Sequence, residues 1–151
     1  MPRNERKESD RIFSAAIEDA PMPRSKSPTL RVLLLEDEND FRDVVEHYLS
    51  SRGYRVTAVS NGVEGVRALM KNAFDVIICD MMMPKLDGEM FFWAATRIRP
   101  AAAQRFIFIT GHQNDPKIQA FFQRVNATIL VKPFKFEALH SAIQDVLTKL
   151  R

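Results

Sequence analysis

Val76-Ile77-Ile78-Cys79-Asp80-Met81-Met82-Met83-Pro84 is an apolar run interrupted by a single carboxylate. Four consecutive apolar residues rich in β-branched types predict a strand buried on both faces, as at the centre of a parallel sheet. Asp80 then stands at the strand's carboxyl end. That edge of an open α/β sheet is where loops splay apart and ligands bind.

Outward from this strand the chain alternates strand and helix. Residues 30–36 predict a first strand, and Phe41, Val44, Val45, Tyr48 and Leu49 repeat with helical period over 40–52 before Gly53 stops the helix. Residues 54–59 predict a second strand. Asn61 opens the next helix with Glu64 three residues on, as in a capping box, turning Val63, Val66, Leu69 and Met70 inward. After the strand at 75–79, Asp87-Gly88 leads into a helix on Met90, Phe91, Ala95 and Ile98, and residues 105–109 predict the fourth strand. Asp115-Pro116 is a cap followed by a proline in the first turn, and Ile118, Phe121, Phe122 and Val125 form one stripe. Residues 128–131 predict the fifth strand, and a helix from about residue 135 carries Leu139, Ile143, Val146 and Leu150. Five strands alternating with five helices predict a doubly wound parallel sheet with right-handed crossovers. The helices at 40–52 and 136–150 share one face of it.

Length and composition fit one globular domain with a tail: 151 residues, 46% hydrophobic and 27% charged. The net charge of +3 is spread along the chain, which favours a solvated surface over a nucleic-acid footprint. A single cysteine, Cys79, forbids an intramolecular disulfide and suits a reducing compartment. It reads as a small core residue. Neither a membrane span nor a signal-peptide core is present in the sequence, so a cytoplasmic protein is expected. Residues 1–28 differ from the rest: mixed charges, then Pro21, Pro23 and Pro28 with serines between, which read as a linker. Ser9 or Asp10 there caps a candidate short helix with Ile12, Phe13, Ala16, Ile17 and Ala20 on one face. The expected division is thus an N-terminal extension over 1–28 and a domain over 29–151.

In a parallel sheet all carboxyl ends lie on one edge, and four of the five here carry polar groups. The first strand ends in Glu36-Asp37, the third in Asp80, the fourth in Thr110, and the fifth runs into Lys132. Two like unit charges ~4 Å apart cost about 4 kcal/mol at the effective dielectric of a protein surface, and a fold gains nothing structural from three carboxylates in one crevice. A divalent cation removes that cost, and an all-oxygen ligand set with open positions suits Mg²⁺. A metal beside a carboxylate, a hydroxyl and an ammonium also meets the needs of phosphoryl transfer. Asp80 would attack in line, Thr110 would donate a hydrogen bond, and Lys132 with the cation would neutralise the equatorial oxygens. Singly, each residue has a duller role: Asp37 as a helix cap, Thr110 as an ordinary strand residue, Lys132 as a solvated loop lysine, and Asp80 as the start of a turn. The match at four strand ends favours the site.

These residues resemble the receiver domain of two-component response regulators over 30–150. The motifs are Glu36-Asp37 after Val32-Leu33-Leu34-Leu35, Asp80 through Pro84 with Asp87-Gly88, Ile109-Thr110-Gly111, and Val131-Lys132-Pro133-Phe134. The resemblance implies a flavodoxin-like fold of strand order 2-1-3-4-5. It implies that Asp80 accepts a phosphoryl group from a histidine kinase or histidine phosphotransfer protein, in a phosphorelay or other signal-transduction role rather than as an enzyme. Mg²⁺ would be held by Asp37, Asp80 and the Met82 backbone carbonyl, with Glu36 helping through water. Lys132 would pair with the phosphoryl group, Thr110 would follow it, and the 115–150 face would carry output to a downstream protein or a second copy. The family often places an aromatic residue three positions before the lysine. Ile129 stands there instead, and a β-branched aliphatic cannot swing in and out in the same way, so output is expected to use loop and backbone shifts. Met82 and His112 occupy variable positions beside the phosphoryl site. A methionine excludes water without activating it, which predicts a long-lived phosphoform, and His112 is read as solvated.

The chain's start at Met1 and end at Arg151 suggest a stand-alone receiver, with the N-terminal helix as a candidate partner or dimer contact. A haloacid-dehalogenase-like phosphohydrolase would need an acid two residues after the nucleophile, where Met82 stands. A flavodoxin would need a glycine and hydroxyl phosphate cradle where Glu36-Asp37-Glu38-Asn39-Asp40 stands. A degenerate receiver that only binds partners would have no use for intact Asp37, Asp80, Thr110 and Lys132.

Overall fold

The computed structural model describes residues 29–150. Apolar strands alternate with helices along the chain: β1 (Arg31–Leu35), α1 (Asn39–Ser51), β2 (Arg55–Val59), α2 (Gly62–Lys71), β3 (Val76–Asp80), α3 (Gly88–Ile98), β4 (Phe106–Thr110), α4 (Pro116–Val125), β5 (Thr128–Val131) and α5 (Phe136–Lys149). All four strand pairings are parallel, in the order β2-β1-β3-β4-β5. The expected architecture is therefore the observed one. The candidate helix over residues 12–20 lies outside the described residues.

Side-chain caps set where four of the five helices begin. Glu38, Asn61, Asp87 and Asp115 each accept a hydrogen bond from a backbone N–H in the first turn of the following helix, at 2.8, 2.9, 2.9 and 2.8 Å. Such caps satisfy donors that have no partner within the helix. The capping box at Asn61 is only half built, because the Glu64 carboxylate pairs outward with Arg67 at 3.0 Å. Gly53, at φ +93°, ends α1 as expected, and Asn126 closes α4 in the same left-handed region. A 3-10 turn over Pro100–Gln104, between α3 and β4, had no periodic signal to announce it.

The central strands β1, β3 and β4 are buried on both faces, which is why they read as continuous apolar runs. On one face Val32, Leu34, Ile78 and Ile107 pack with Val45 and Leu49 of α1 and Leu139, Ile143 and Val146 of α5. The other face packs Leu33, Leu35, Ile77 and Phe108 with Leu69 of α2, Phe91 of α3 and Phe121 of α4. Cys79 is buried among them, and desolvation pushes its thiol well above the ordinary range.

Val63 and Met70, expected inward, point outward, and Val44 and Met90, which share the helical repeats of α1 and α3, are exposed as well. Each borders an apolar stripe, and the helix turns a narrower arc to the sheet than the stripe's width. In α2 the cause is close approach, since Gly62 and Gly65 form the buried face with Leu69. A Cβ at Gly65 would stand 2.5 Å from Leu35 Cδ2 and 2.8 Å from Phe91 Cε1, and both neighbours are wholly buried. Gly65→Val is therefore expected to lower the unfolding free energy by about 2 kcal/mol, within the usual cost of overpacking. Denaturant unfolding measures it, and an unchanged midpoint would mean α2 can lift without loss.

Candidate functional site

Because β1 and β3 are adjacent and in register, with Leu35 opposite Cys79, their carboxyl ends bring Glu36 and Asp80 together. One carboxylate oxygen from each of Glu36, Asp37 and Asp80 lies within 4.8 Å of the others. Glu36 and Asp80 are buried and Asp37 is exposed. Asp37 does not cap α1, because Glu38 does so, and its side chain is left for the cleft. The cleft encloses about 250 Å³ and is lined by Glu36, Asp37, Glu38, Asp80, Met82, Gly111, His112 and Lys132.

Lys132 reaches in from the end of β5, with its ammonium 3.1 Å from Asp80 Oδ2 and 3.4 Å from Glu36 Oε1. The same ammonium lies 4.9 Å from the centre of the Phe41 ring, which Phe134 meets edge-on at 5.8 Å. Backbone groups hold the carboxylates. Asp80 Oδ1 accepts from the Met82 N–H at 3.1 Å, and Glu36 Oε2 accepts from the Glu38 N–H at 3.1 Å. Arg42 ties α1 to this corner by donating to the Glu36 carbonyl at 2.8 Å.

Thr110 ends β4 beside Asp80 but does not line the cleft. Its side chain is wholly buried and Oγ1 accepts from the His112 N–H at 2.8 Å, which leaves the hydroxyl proton free to donate elsewhere. Met82 borders the cleft with its side chain about half exposed. Ile129 pairs with Phe108 within the sheet, away from the cleft, and is partly exposed. The structure thus gathers Glu36, Asp37, Asp80, Met82, His112 and Lys132, sets Thr110 behind them and leaves Ile129 outside. The sequence pattern gives Glu38, Gly111 and Phe41 no role in the site, yet Glu38 and Gly111 line the cleft and Phe41 lies against the ammonium. Phe41 reads as a core position of α1, and only the packing of α1 against the 132–134 turn shows it beneath the ammonium.

The electrostatics follow from burial. Desolvation first, and the Asp80 charge second, raise the Glu36 carboxyl to about 7 against the opposing Glu38 N–H and Lys132. For Lys132, burial alone would lower the ammonium, but the hydrogen bond and charge of Asp80, with Glu36, carry it above the ordinary lysine value. An excess of buried negative charge remains, presented by oxygen atoms alone. That donor set fits a hard divalent cation such as Mg²⁺.

A family model for the response regulator receiver domain matches residues 32–144. The chain belongs to that family. It is 33% identical over 123 residues to the transcriptional regulatory protein RprY of Bacteroides fragilis, a match covering 81% of this chain and 51% of RprY. The chain therefore spans about half the length of that relative. Among solved structures it resembles the chemotaxis protein CheY4 of Vibrio cholerae, at a TM-score of 0.72 and 32% identity over 80% of this chain and all of CheY4. It also resembles the receiver domain of the sensor histidine kinase PA1611 of Pseudomonas aeruginosa, which holds a magnesium ion coordinated in its active-site cleft. That match has a TM-score of 0.67 and 30% identity, over 80% of this chain and 99% of the other. A receiver domain is a signalling domain of two-component systems and not an enzyme in the ordinary sense. Among the described residues no helix is long and apolar enough to cross a membrane.

The raised Glu36 carboxyl has a consequence for stability. Between the unfolded value of 4.5 and the folded value of about 7, the native state binds more protons than the unfolded chain. Its contribution to stability is thus complete below 4.5 and is lost as pH rises through 7. In chelator, denaturant unfolding is expected to show stability falling across this window, with a flatter profile for Glu36→Gln. Equal slopes in the two proteins would remove Glu36 as the source.

Proposed function

We propose that Asp80 of this receiver accepts a phosphoryl group from a phosphohistidine on a histidine kinase or histidine phosphotransfer protein. The observation that carries the reading is the Lys132 ammonium 3.1 Å from Asp80 Oδ2, in a cleft with a carboxylate cluster beside it. An Asp80 oxygen forms the new bond to phosphorus as the nitrogen–phosphorus bond breaks, and its electron pair returns to the donor imidazole. Lys132 offsets charge on the transferring oxygens. The Met82 N–H on Oδ1 holds the carboxylate in one orientation, so that its attack direction is set before the donor arrives. Thr110, with its proton uncommitted, donates to the new phosphoryl oxygen by shifting the loop that begins at Gly111. Asp37 and Asp80 with the Met82 carbonyl, and Glu36 through water, would hold Mg²⁺, which when bound adds positive charge for the phosphoryl oxygens.

The domain's own catalysis in this reading is limited to taking phosphate from small donors and losing it to water. Residues 29–151 form the phosphorylated unit and 1–28 an extension. We read the compartment as the cytoplasm, in keeping with a lone buried thiol. Output leaves through α4, β5 and α5, where Ile129 and Val131 are partly exposed, towards a downstream protein or a second copy. No nucleic-acid contact is part of the reading.

Incubation with a small phosphodonor and Mg²⁺ is expected to place acid-labile phosphate on the wild type and none on Asp80→Asn. Asp37→Asn should need at least ~10-fold more Mg²⁺ for the same labelling, as for loss of a metal ligand or its support. A wild type that stays unlabelled where a control receiver is labelled would overturn the assignment. The Met82 thioether beside Asp80 adds a further expectation: label on the wild type should persist for minutes or longer, and loss within seconds would remove the shielding role.

A further inference from the structure

The opposite edge of the sheet carries a concavity that the Asp80 chemistry does not use. Strands β1, β3 and β4 begin there, and with the end of α2 and the 3-10 turn they enclose about 530 Å³. Its walls are of two kinds. Leu69, Phe74 and Ala102 give it an apolar floor, and Arg31, Arg99 and Arg105 bring three guanidinium groups against one carboxylate, Asp75. That carboxylate is engaged by backbone, since Asp75 Oδ2 accepts from the Arg31 N–H at 2.8 Å. The arginines are held in place by carbonyls. Arg99 Nε donates to Leu69 O at 2.7 Å, and Arg105 Nη1 donates to Asp75 O at 3.2 Å. The Arg31 guanidinium lies 5.5 Å from the Phe74 ring centre, and its Nε is buried with no hydrogen-bond partner among the described residues. A buried donor left without an acceptor is unfavourable. The complement of such a pocket is an apolar segment that carries carboxylates.

The chain holds one, tethered to the pocket's own wall. Ile12, Phe13, Ala16, Ile17 and Ala20 share one stripe at helical spacing. At 100° per residue, Asp10 and Asp19 fall within about 20° of its two edges. Within residues 10–20 the one base, Arg11, falls on the far side together with Glu18. Residues 21–30 lead from this segment to Arg31 and reach at most about 35 Å, ample to fold back on a pocket that begins at Arg31 itself. A tether of this length supplies a millimolar effective concentration. A segment of this length is too short to hold a helix in water alone, and the pocket would supply the burial it lacks.

We propose that residues 10–20 dock in this pocket as an amphipathic helix of the same chain, with the apolar stripe on the floor and Asp10 and Asp19 on the arginines. The seat is on the edge remote from Asp80 and does not depend on phosphorylation.

Hydrogen exchange read by mass spectrometry on the full chain tests it, at two protein concentrations. Amides of residues 12–20 are expected to exchange about tenfold or more slowly than unstructured chain, equally at both concentrations. The reversal pair Asp10→Arg with Asp19→Arg should abolish that protection, as should Arg99→Glu with Arg105→Glu, and combining the two pairs should restore part of it. Amides of β3 and β4 in the same spectra report whether each variant is folded, and the tail reversal alone decides the matter if the pocket variant is not. Exchange of 12–20 at the unstructured rate, or protection that survives the tail reversal, would overturn the proposal. Protection that falls on dilution would also overturn it by placing the segment on a second copy.

Discussion

The Lys132 ammonium stands between two carboxylates that the sheet forces together, and much of the domain is arranged to keep it there. Register across β1 and β3 puts Glu36 beside Asp80, and burial denies both the water that would relieve their repulsion. Lys132 compensates for part of this charge, at 3.1 and 3.4 Å. It can do so because Thr110 pairs with Val131, which sets the end of β5 level with the edge where Asp80 sits. The Phe41 ring lies 4.9 Å from the ammonium, and Phe134 meets that ring edge-on. Removing a partner from such a cluster leaves an uncompensated buried charge, a larger effect than the loss of an exposed ion pair.

The remaining excess of negative charge links fold to function. A carboxyl held near neutrality by burial and a neighbouring charge is a cost that a domain selected for stability alone would not keep. Here the cost is local, and the large two-faced core beneath it, with α1 and α5 on one side and α2, α3 and α4 on the other, offsets it. The cleft is consequently primed for cations and for the anionic oxygens that a cation would bring.

The two edges of the sheet contrast in charge. The carboxyl edge gathers carboxylates around one lysine, and the amino edge gathers arginines around one aspartate. Parallel strands make this segregation possible, because every strand contributes its first residue to one edge and its last to the other. Arg31 and Glu36, five residues apart in the chain, are thus sent to opposite edges of the sheet.

Much of this was legible in the chain itself. Local signals set the strands and helix starts: β-branched runs made the central strands, and Asn61, Asp87 and Asp115 capped their helices as polar residues at such places do. The ordered placement of Glu36-Asp37, Asp80, Thr110 and Lys132 at strand ends disclosed the candidate site, because parallel topology converts chain position into a shared edge. Periodicity does not tell how wide an arc each helix buries: Val63 and Met70 belong to the apolar repeat yet face outward, because Gly65 lies against Leu35 and Phe91. Nor could it reveal Phe41 beneath Lys132, Thr110 set behind the cleft, or three arginines drawn into one pocket from residues 31, 99 and 105. Those depend on distances between elements remote in sequence, and packing alone decides such distances.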